Sequence, residues 1–272
     1  MSCLTDHADD LFRRAEYEVA ASAFLSPAEQ REIFDALPAA RARLVFFGGA
    51  LGCERRCAFF VPDWMLDAAG IAGLGSLSAF SDERETAAAA LDADGSLTAD
   101  RIAVAEIEGS GFAALRHRDF MGAILNLGIK RETLGDIVVR DSRSAAAYCL
   151  PAAATVIAGE LERIGRDGVR VSVRGVRSDE RVEREYEERV VTVASMRLDC
   201  VVSELANVSR ESAKRLIASG AVELDHRESA DADERVAEGA TVSVRGAGKY
   251  RIGETLGETR SARLRLRVLR YV

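Results

Sequence analysis

Apolar and polar positions along the chain fall into three successive patterns. In the first, Phe12, Ala15, Val19, Ala20 and Ala23 share one helical stripe, and the spacing predicts a helix through them. Ser26-Pro27-Ala28-Glu29 reads as a capping box with proline at the first helical position, and Ile33, Phe34 and Leu37 supply the apolar face that follows. Leu44–Phe47 and Cys57–Val61 are short apolar runs ended by Gly48-Gly49 and Pro62, as expected of two paired, buried strands. The polar stretch Ser81–Glu85 marks the edge of this α/β part.

The second pattern alternates strand and helix. Ile102–Ile107 reads as a strand. Asp119–Leu127 has helical spacing with Phe120, Ala123, Ile124 and Leu127 on one face, stopped by Gly128. Asp136–Arg140 and Ala146–Leu150 form a hairpin across Asp141–Ser144. Pro151 opens a second helix, with Ile157, Leu161 and Ile164 as its stripe and Gly165 as its stop. Val169, Val171 and Val173 alternate with Arg170, Ser172 and Arg174, the period of a half-buried strand. The order β-α-β-β-α-β is the split ferredoxin-like arrangement, shared by RNA-recognition motifs and by many enzymes. The strands lack the aromatic cluster that stacks bases, which counts against RNA stacking on this sheet.

Ser178–Arg189 is a mixed-charge linker into a strand at Val190–Val193. In the third pattern Leu198, Val201, Val202 and Leu205 form a helical stripe, with Ser195 as a possible cap. Ser209 caps a second helix with Ala213, Leu216 and Ile217 inward and Gly220 as its stop. Short alternating strands follow at Val222–Leu224, Val242–Val244, Tyr250–Ile252 and Leu264–Val268. The fold class is therefore α+β in three small domains, 1–80, 81–176 and 195–272, with 177–194 as charged linker and strand.

Charge sharpens this division. The 272 residues carry a net charge of −7, yet residues 195–272 hold 14 basic against 12 acidic side chains. A basic C-terminal part on an acidic body fits a surface that meets a polyanion, or simply a solvated edge rich in arginine. Arg263, Arg265 and Arg267 share one strand face and allow the same two readings. Five cysteines and no secretory or membrane-spanning pattern point to reduced thiols in a cytoplasm.

Sharper chemistry fails on inspection. His117-Arg118-Asp119 opens like a kinase catalytic loop, but Ile124 stands where that loop needs asparagine. Ser243 stands where a P-loop needs its first glycine. Cys53 and Cys57 have no second ligand pair at zinc spacing and read as buried thiols. Glu54-Arg55-Arg56 reads as a functional cluster or a surface turn. No catalytic residue, metal site, cofactor or small-molecule substrate is expected.

Arg197-Leu198-Asp199, Ser209-Arg210 with Ala213, Leu216-Ile217 and Gly220, Val222–Leu224, and Val244–Lys249 together resemble the S-four, or alpha-L, RNA-binding domain. Upstream, Phe47–Ala50 with Glu54–Arg56, and Arg118–Ala123 running into Asn126–Glu132 and Gly135–Ile137, resemble the YlmH-like RNA-binding proteins of bacteria. The resemblance spans almost the whole chain. It implies an N-terminal α/β domain, a ferredoxin-like middle domain and a C-terminal S-four domain. It implies a non-enzymatic RNA-binding protein at the ribosome, with rRNA or tRNA as partner. It further implies the large subunit carrying a blocked peptidyl-tRNA, in quality control of stalled translation.

Candidate RNA contacts are Arg197, Ser209, Arg210, Lys214, Arg215, Arg245, Lys249 and Arg251. Arg210 and Lys214 are i, i+4 on one helix face, and Arg197 starts the preceding helix, where backbone donors favour phosphate. Arg245 and Lys249 bracket Gly246-Ala247-Gly248, a loop that lets a backbone come close. The acidic stretch Asp225–Glu234 departs from the more basic pattern of relatives. Two rivals remain: an RNA-modifying enzyme of the pseudouridine synthase type tethered by the same domain, and a protein-interaction adaptor linked to cell division. Against the first, Arg197-Leu198-Asp199 is followed by Cys200-Val201-Val202 rather than Thr/Ser-Gly.

Overall fold

The computed structural model describes residues 2–177, 179–183 and 186–271. Ser178, Arg184 and Glu185 of the expected linker lie outside the described residues. The chain divides into two compact units, Met1–Val182 and Glu183–Val272.

The first unit opens with α1 (Cys3–Arg14), β1 (Ala20–Leu25), α2 (Pro27–Ala36), β2 (Leu44–Phe47), β3 (Arg56–Phe60), α3 (Asp63–Ala68) and α4 (Asp82–Leu91). The capping box forms: the Ser26 side chain accepts from the Glu29 N–H, and the Glu29 carboxylate accepts from the Ser26 N–H. β2 and β3 pair antiparallel with Leu44 opposite Phe60. The helical stripe from Phe12 to Ala23 does not hold. α1 ends at Arg14, and residues 20–25 form β1, the third strand of the sheet β1-β3-β2. Ala20, Ala21 and Ser22 carry weak intrinsic preference, so pairing with Phe60 and Phe59 decides their state.

Ser81–Glu85 also differs from expectation. Ser81 caps α4, and Arg84 in its first turn is only 1% exposed. Its guanidinium donates to the carbonyls of Arg41, Leu44, Leu74, Leu77 and Ser78. Burial, helped by nearby Arg41, lowers its pKa to about 10.

The same unit continues with β4 (Ala103–Gly109), α5 (His117–Asn126), β5 (Leu134–Val139), β6 (Ser144–Cys149), α6 (Pro151–Glu160), β7 (Arg163–Ile164) and β8 (Asp167–Gly175). The antiparallel sheet runs β5-β6-β4-β8-β7. The helix from Pro151 ends at Glu160, before Ile164. Arg163 and Ile164 instead pair with Gly168 and Asp167 across a tight turn in which Gly165 takes φ +61°.

Alternation along β4 explains its near-continuous apolar run. Ala103, Ala105 and Ile107 pack with Phe120, Ile124 and Ile157 of α5 and α6. Val104 faces the other way, into a cluster with Phe24, Val45, Phe47 and Phe59 of the first sheet. Glu54-Arg55-Arg56 lies on this seam. The Asp136 carboxylate accepts from the N–H groups of Glu54 at 2.8 Å and Arg55 at 3.1 Å. The Arg55 guanidinium donates to the carbonyls of Leu134 and Phe24, and Arg56 pairs with Glu85 at 3.0 Å. At Gly135 a Cβ would sit 2.5 Å from the Phe24 ring, so only glycine permits this approach.

The second unit comprises β9 (Tyr186–Val193), α7 (Leu198–Leu205), α8 (Arg210–Ala218), β10 (Val222–Leu224), β11 (Arg227–Glu228), β12 (Thr241–Val244), β13 (Gly248–Glu258) and β14 (Leu264–Tyr271). Its antiparallel sheet runs β11-β10-β12-β13-β14-β9. Leu198, Val201, Val202 and Leu205 of α7 and Ala213 and Ile217 of α8 pack on Val222, Val242, Tyr250, Ile252, Leu266 and Val268. β9 starts four residues before the expected strand. Its charges find partners on β14, Glu188 with Arg267 at 3.0 Å and Glu187 with Arg270 at 3.4 Å.

Candidate nucleic-acid interface

α7 and α8 meet through one carboxylate. Asp199, in the first turn of α7, is fully buried. Its Oδ2 accepts from Arg210 at 2.8 Å and from Arg197 at 3.1 Å. Burial by itself pushes the carboxyl upward, and the hydrogen bonds from Arg197 and Arg210 outweigh it, so its pKa lies far below the usual carboxylate range. Two candidate RNA-contacting arginines are thereby fixed beside each other, each with a partly exposed side chain.

The N-terminus of α7 is closed, contrary to the expected phosphate-ready helix start. The Leu198 N–H donates to the Glu234 carbonyl at 2.8 Å and the Asp199 N–H to the Ala232 carbonyl at 3.0 Å. Loop carbonyls thus satisfy the donors a helix start leaves over. Arg197 itself is the cap residue, and no side chain, Ser195 included, caps this helix. The acidic stretch supplies the closure, and Asp233 pairs with Arg197.

Ser209 caps α8 as expected, its Oγ accepting from the Ser212 N–H at 3.1 Å. Arg215 donates to the Ser212 hydroxyl at 3.1 Å. Lys214 is exposed on the same helix, whose buried residues are Ala213 and Ile217. Arg245 is exposed in the turn between β12 and β13. Its N–H donates to the Ala221 carbonyl at 2.9 Å, which sets it close to the end of α8.

Lys249 and Arg251 lie elsewhere. They flank Tyr250, which faces the helices and donates to the Leu205 carbonyl at 3.3 Å. Strand alternation puts their side chains on the opposite face of the sheet. There the Lys249 ammonium sits 4.7 Å from the centre of the Tyr271 ring, which meets Tyr186 edge-on at 5.1 Å. The structure therefore brings Arg197, Ser209, Arg210, Lys214, Arg215 and Arg245 to the helix pair and its end, and separates Lys249 and Arg251 from them. The arginine row is also divided. Arg263 donates to the Thr192 carbonyl and Glu204, whereas Arg267 is held by Glu188 and Glu254.

Among the described residues no group of three or more His, Cys, Asp or Glu side chains is placed to hold a metal ion. Cys53 and Cys57 are buried, and burial pushes both thiols upward. No helix among the described residues is long and apolar enough to cross a membrane.

Comparison with known proteins adds a second location. A family model described as "Putative RNA-binding domain in YlmH" matches residues 100–178. Over 252 residues the chain is 26% identical to "Ribosome-associated protein quality control protein P2" of Bacillus subtilis (strain 168), covering 92% of this chain and 87% of that protein. Both matches are consistent with a YlmH-like RNA-binding protein. A solved structure, "Cell division protein ylmH from Streptococcus pneumoniae", is similar over 64% of this chain and 93% of its own, with 18% identity and a TM-score of 0.43.

The family match covers β4 to β8, whose sheet carries no exposed aromatic cluster among the described residues. Much of the sheet face turned from α5 and α6 is covered by the first sheet, as Val104, Ala146 and Tyr148 are buried there. Sequence reasoning passed over Phe112, which is 74% exposed in the loop between β4 and α5. Its only signal was a large aromatic residue directly after Gly111 in a connection of small residues.

Proposed function

We propose that this chain is a non-enzymatic RNA-binding protein that acts at the ribosome in quality control of stalled translation. Its working place is the large subunit carrying a peptidyl-tRNA, and its compartment is the cytoplasm. The name of the Bacillus subtilis relative and the RNA-binding description of the matched family support this reading. In this proposal residues 1–80 are an N-terminal α/β domain, 81–176 a ferredoxin-like domain, and 195–272 an S-four domain that grips folded rRNA or tRNA. Residues 177–194 lead into the last of these.

The observation that carries the proposal is the pair Arg197 and Arg210 locked on Asp199, with Lys214 and Arg215 exposed further along α8. Guanidinium groups held in place lose little freedom on binding, and their remaining donors suit phosphate. Phosphate contacts of this kind give affinity and orientation for a folded RNA. The same geometry weighs against the pseudouridine synthase alternative. A carboxylate buried and held by two arginines has no access to a ribose, so Asp199 is not a nucleophile.

Sedimentation of the full chain with purified ribosomal subunits on sucrose gradients tests this. Co-migration with large subunits at low salt, released at high salt, is the expected result. A chain that stays at the top of the gradient at low salt contradicts it.

A further inference from the structure

RNA binding by residues 100–178 needs a surface, and the sheet offers little. α5 and α6 cover one face, and the first sheet buries Val104, Ala146 and Tyr148 on the other. The rest of that second face is crossed by ion pairs. Arg174 bridges Glu106 and Glu180, both at 2.7 Å, and Arg140 joins Glu106 at 2.6 Å.

A cleft of about 820 Å³ opens instead between the loop after β4, helix α5 and the turn from α6 into β7. Leu115, Leu161 and Ile164 form an apolar floor, all three buried. Phe112 stands at its edge. The loop that presents this ring is pinned. The buried Asp167 carboxylate accepts from the Ser110 N–H at 3.1 Å, from the Ser110 hydroxyl and from the Ala113 N–H at 3.4 Å. On the loop's far side the Leu115 N–H donates to the Ser142 carbonyl at 2.6 Å. An aromatic ring held out in water on a fixed loop is a platform for stacking.

The charges around the cleft define what it takes. Arg118, Arg163 and Arg166 line it, and so do Asp119, Glu160 and Glu162. With three charges of each sign the cleft does not attract a duplex backbone as a whole. It suits one base, which is flat and uncharged, together with the single phosphate attached to it. Unpaired nucleotides in loops and bulges are recognised in this way, by stacking on an aromatic ring with arginine on the backbone.

We infer that this cleft receives one unpaired RNA nucleotide, its base stacked on Phe112 above Leu115, Leu161 and Ile164 and its phosphate held by Arg118 and Arg166. The inference rests on the reading that the chain binds RNA, and it gives residues 100–178 a site separate from the helix pair of the second unit.

The test uses the full chain and an RNA hairpin with 2-aminopurine in its loop, compared with a fully paired duplex of the same stem. Stacking is worth about 1–3 kcal/mol per base, so Phe112→Ala weakens hairpin binding about 5- to 150-fold. It also removes the quenching of 2-aminopurine, while duplex binding stays within about twofold. Phe112→Trp restores both affinity and quenching. Because Phe112 is exposed, neither change disturbs the core. Unchanged hairpin binding and quenching in Phe112→Ala overturns the inference, as does an equal loss on the duplex. Failure of the unmodified chain to bind either RNA defeats the RNA-binding reading itself, whereas binding indifferent to Phe112 defeats this site alone.

Discussion

Asp199 and Arg210 are eleven residues apart in sequence, and a 2.8 Å hydrogen bond joins them at the crossing of α7 and α8. The carboxylate is buried and the arginine side chain is half exposed. One residue thus anchors the helix pair from within, and the other offers its remaining donors to a ligand. Asp199→Asn keeps the size and removes the charge, leaving Arg197 and Arg210 without their common partner. A loss of about 2 kcal/mol of stability in urea denaturation is expected at neutral pH. Stability equal to the unmodified chain would show that the pair contributes nothing to the fold.

The acid side gives an independent reading of the same pair. The folded-state pKa of Asp199 lies below that of the unfolded chain. Its contribution to stability is therefore complete above the ordinary carboxylate range of about 4, and it is lost as pH falls from there toward the much lower folded value. The unmodified chain should lose stability more steeply than Asp199→Asn between about pH 4 and 2. Parallel acid curves for the two would contradict this assignment.

Arg84 sits deeper and has a different task. Its guanidinium ties the carbonyls of Arg41, Leu44, Leu74, Leu77 and Ser78 together beneath α4. Arg84→Leu leaves those acceptors without it and should cost about 3 kcal/mol or more, seen as a lower midpoint in thermal or urea unfolding. A change within about 0.5 kcal/mol, as for an ordinary surface substitution, would mean that other donors replace it.

If the α7–α8 face binds RNA, the acidic loop should hold its affinity down. Asp233 pairs with Arg197, one of the two arginines fixed on Asp199. Asp233→Asn releases that donor. Filter binding to a folded RNA should show several-fold tighter binding and a salt dependence steeper by somewhat less than one log–log unit, as one more phosphate is neutralised. Glu16→Gln makes the same charge change in the other unit and should alter neither. If both variants gain equally, net charge rather than this contact is responsible.

Local patterns read correctly where the deciding forces were local. The capping box at Ser26 and Glu29, the β2–β3 pair, and the stripes of α7 and α8 depend on residues a few positions apart. Features set by distant partners were not visible. β1 is a strand because β3 lies beside it, although its alanines fit a helical period. Arg84 reads as surface charge until the carbonyls of residues 41 to 78 surround it. The closure of α7 by the carbonyls of residues 232 and 234 brings together segments over thirty positions apart. For the candidate RNA contacts, the residue types and the helix pair were legible. The side of the sheet on which Lys249 and Arg251 lie depended on Tyr250 turning inward to Leu205.

The central claim is that the α7–α8 face grips RNA by its phosphates. Lys214, Arg215 and Arg245 test it best, because they lie on or beside α8 and none of them holds Asp199. Each phosphate contact contributes about 0.7 to 0.9 units to the log–log slope of affinity against salt. Replacing all three by alanine in the full chain should therefore flatten that slope by about 2 units and weaken binding to large ribosomal subunits. Arg13, Arg14 and Arg31 changed to alanine in the first unit should leave the slope as it was. An unchanged slope from the first triple, or an equal loss from both, would contradict binding through this face.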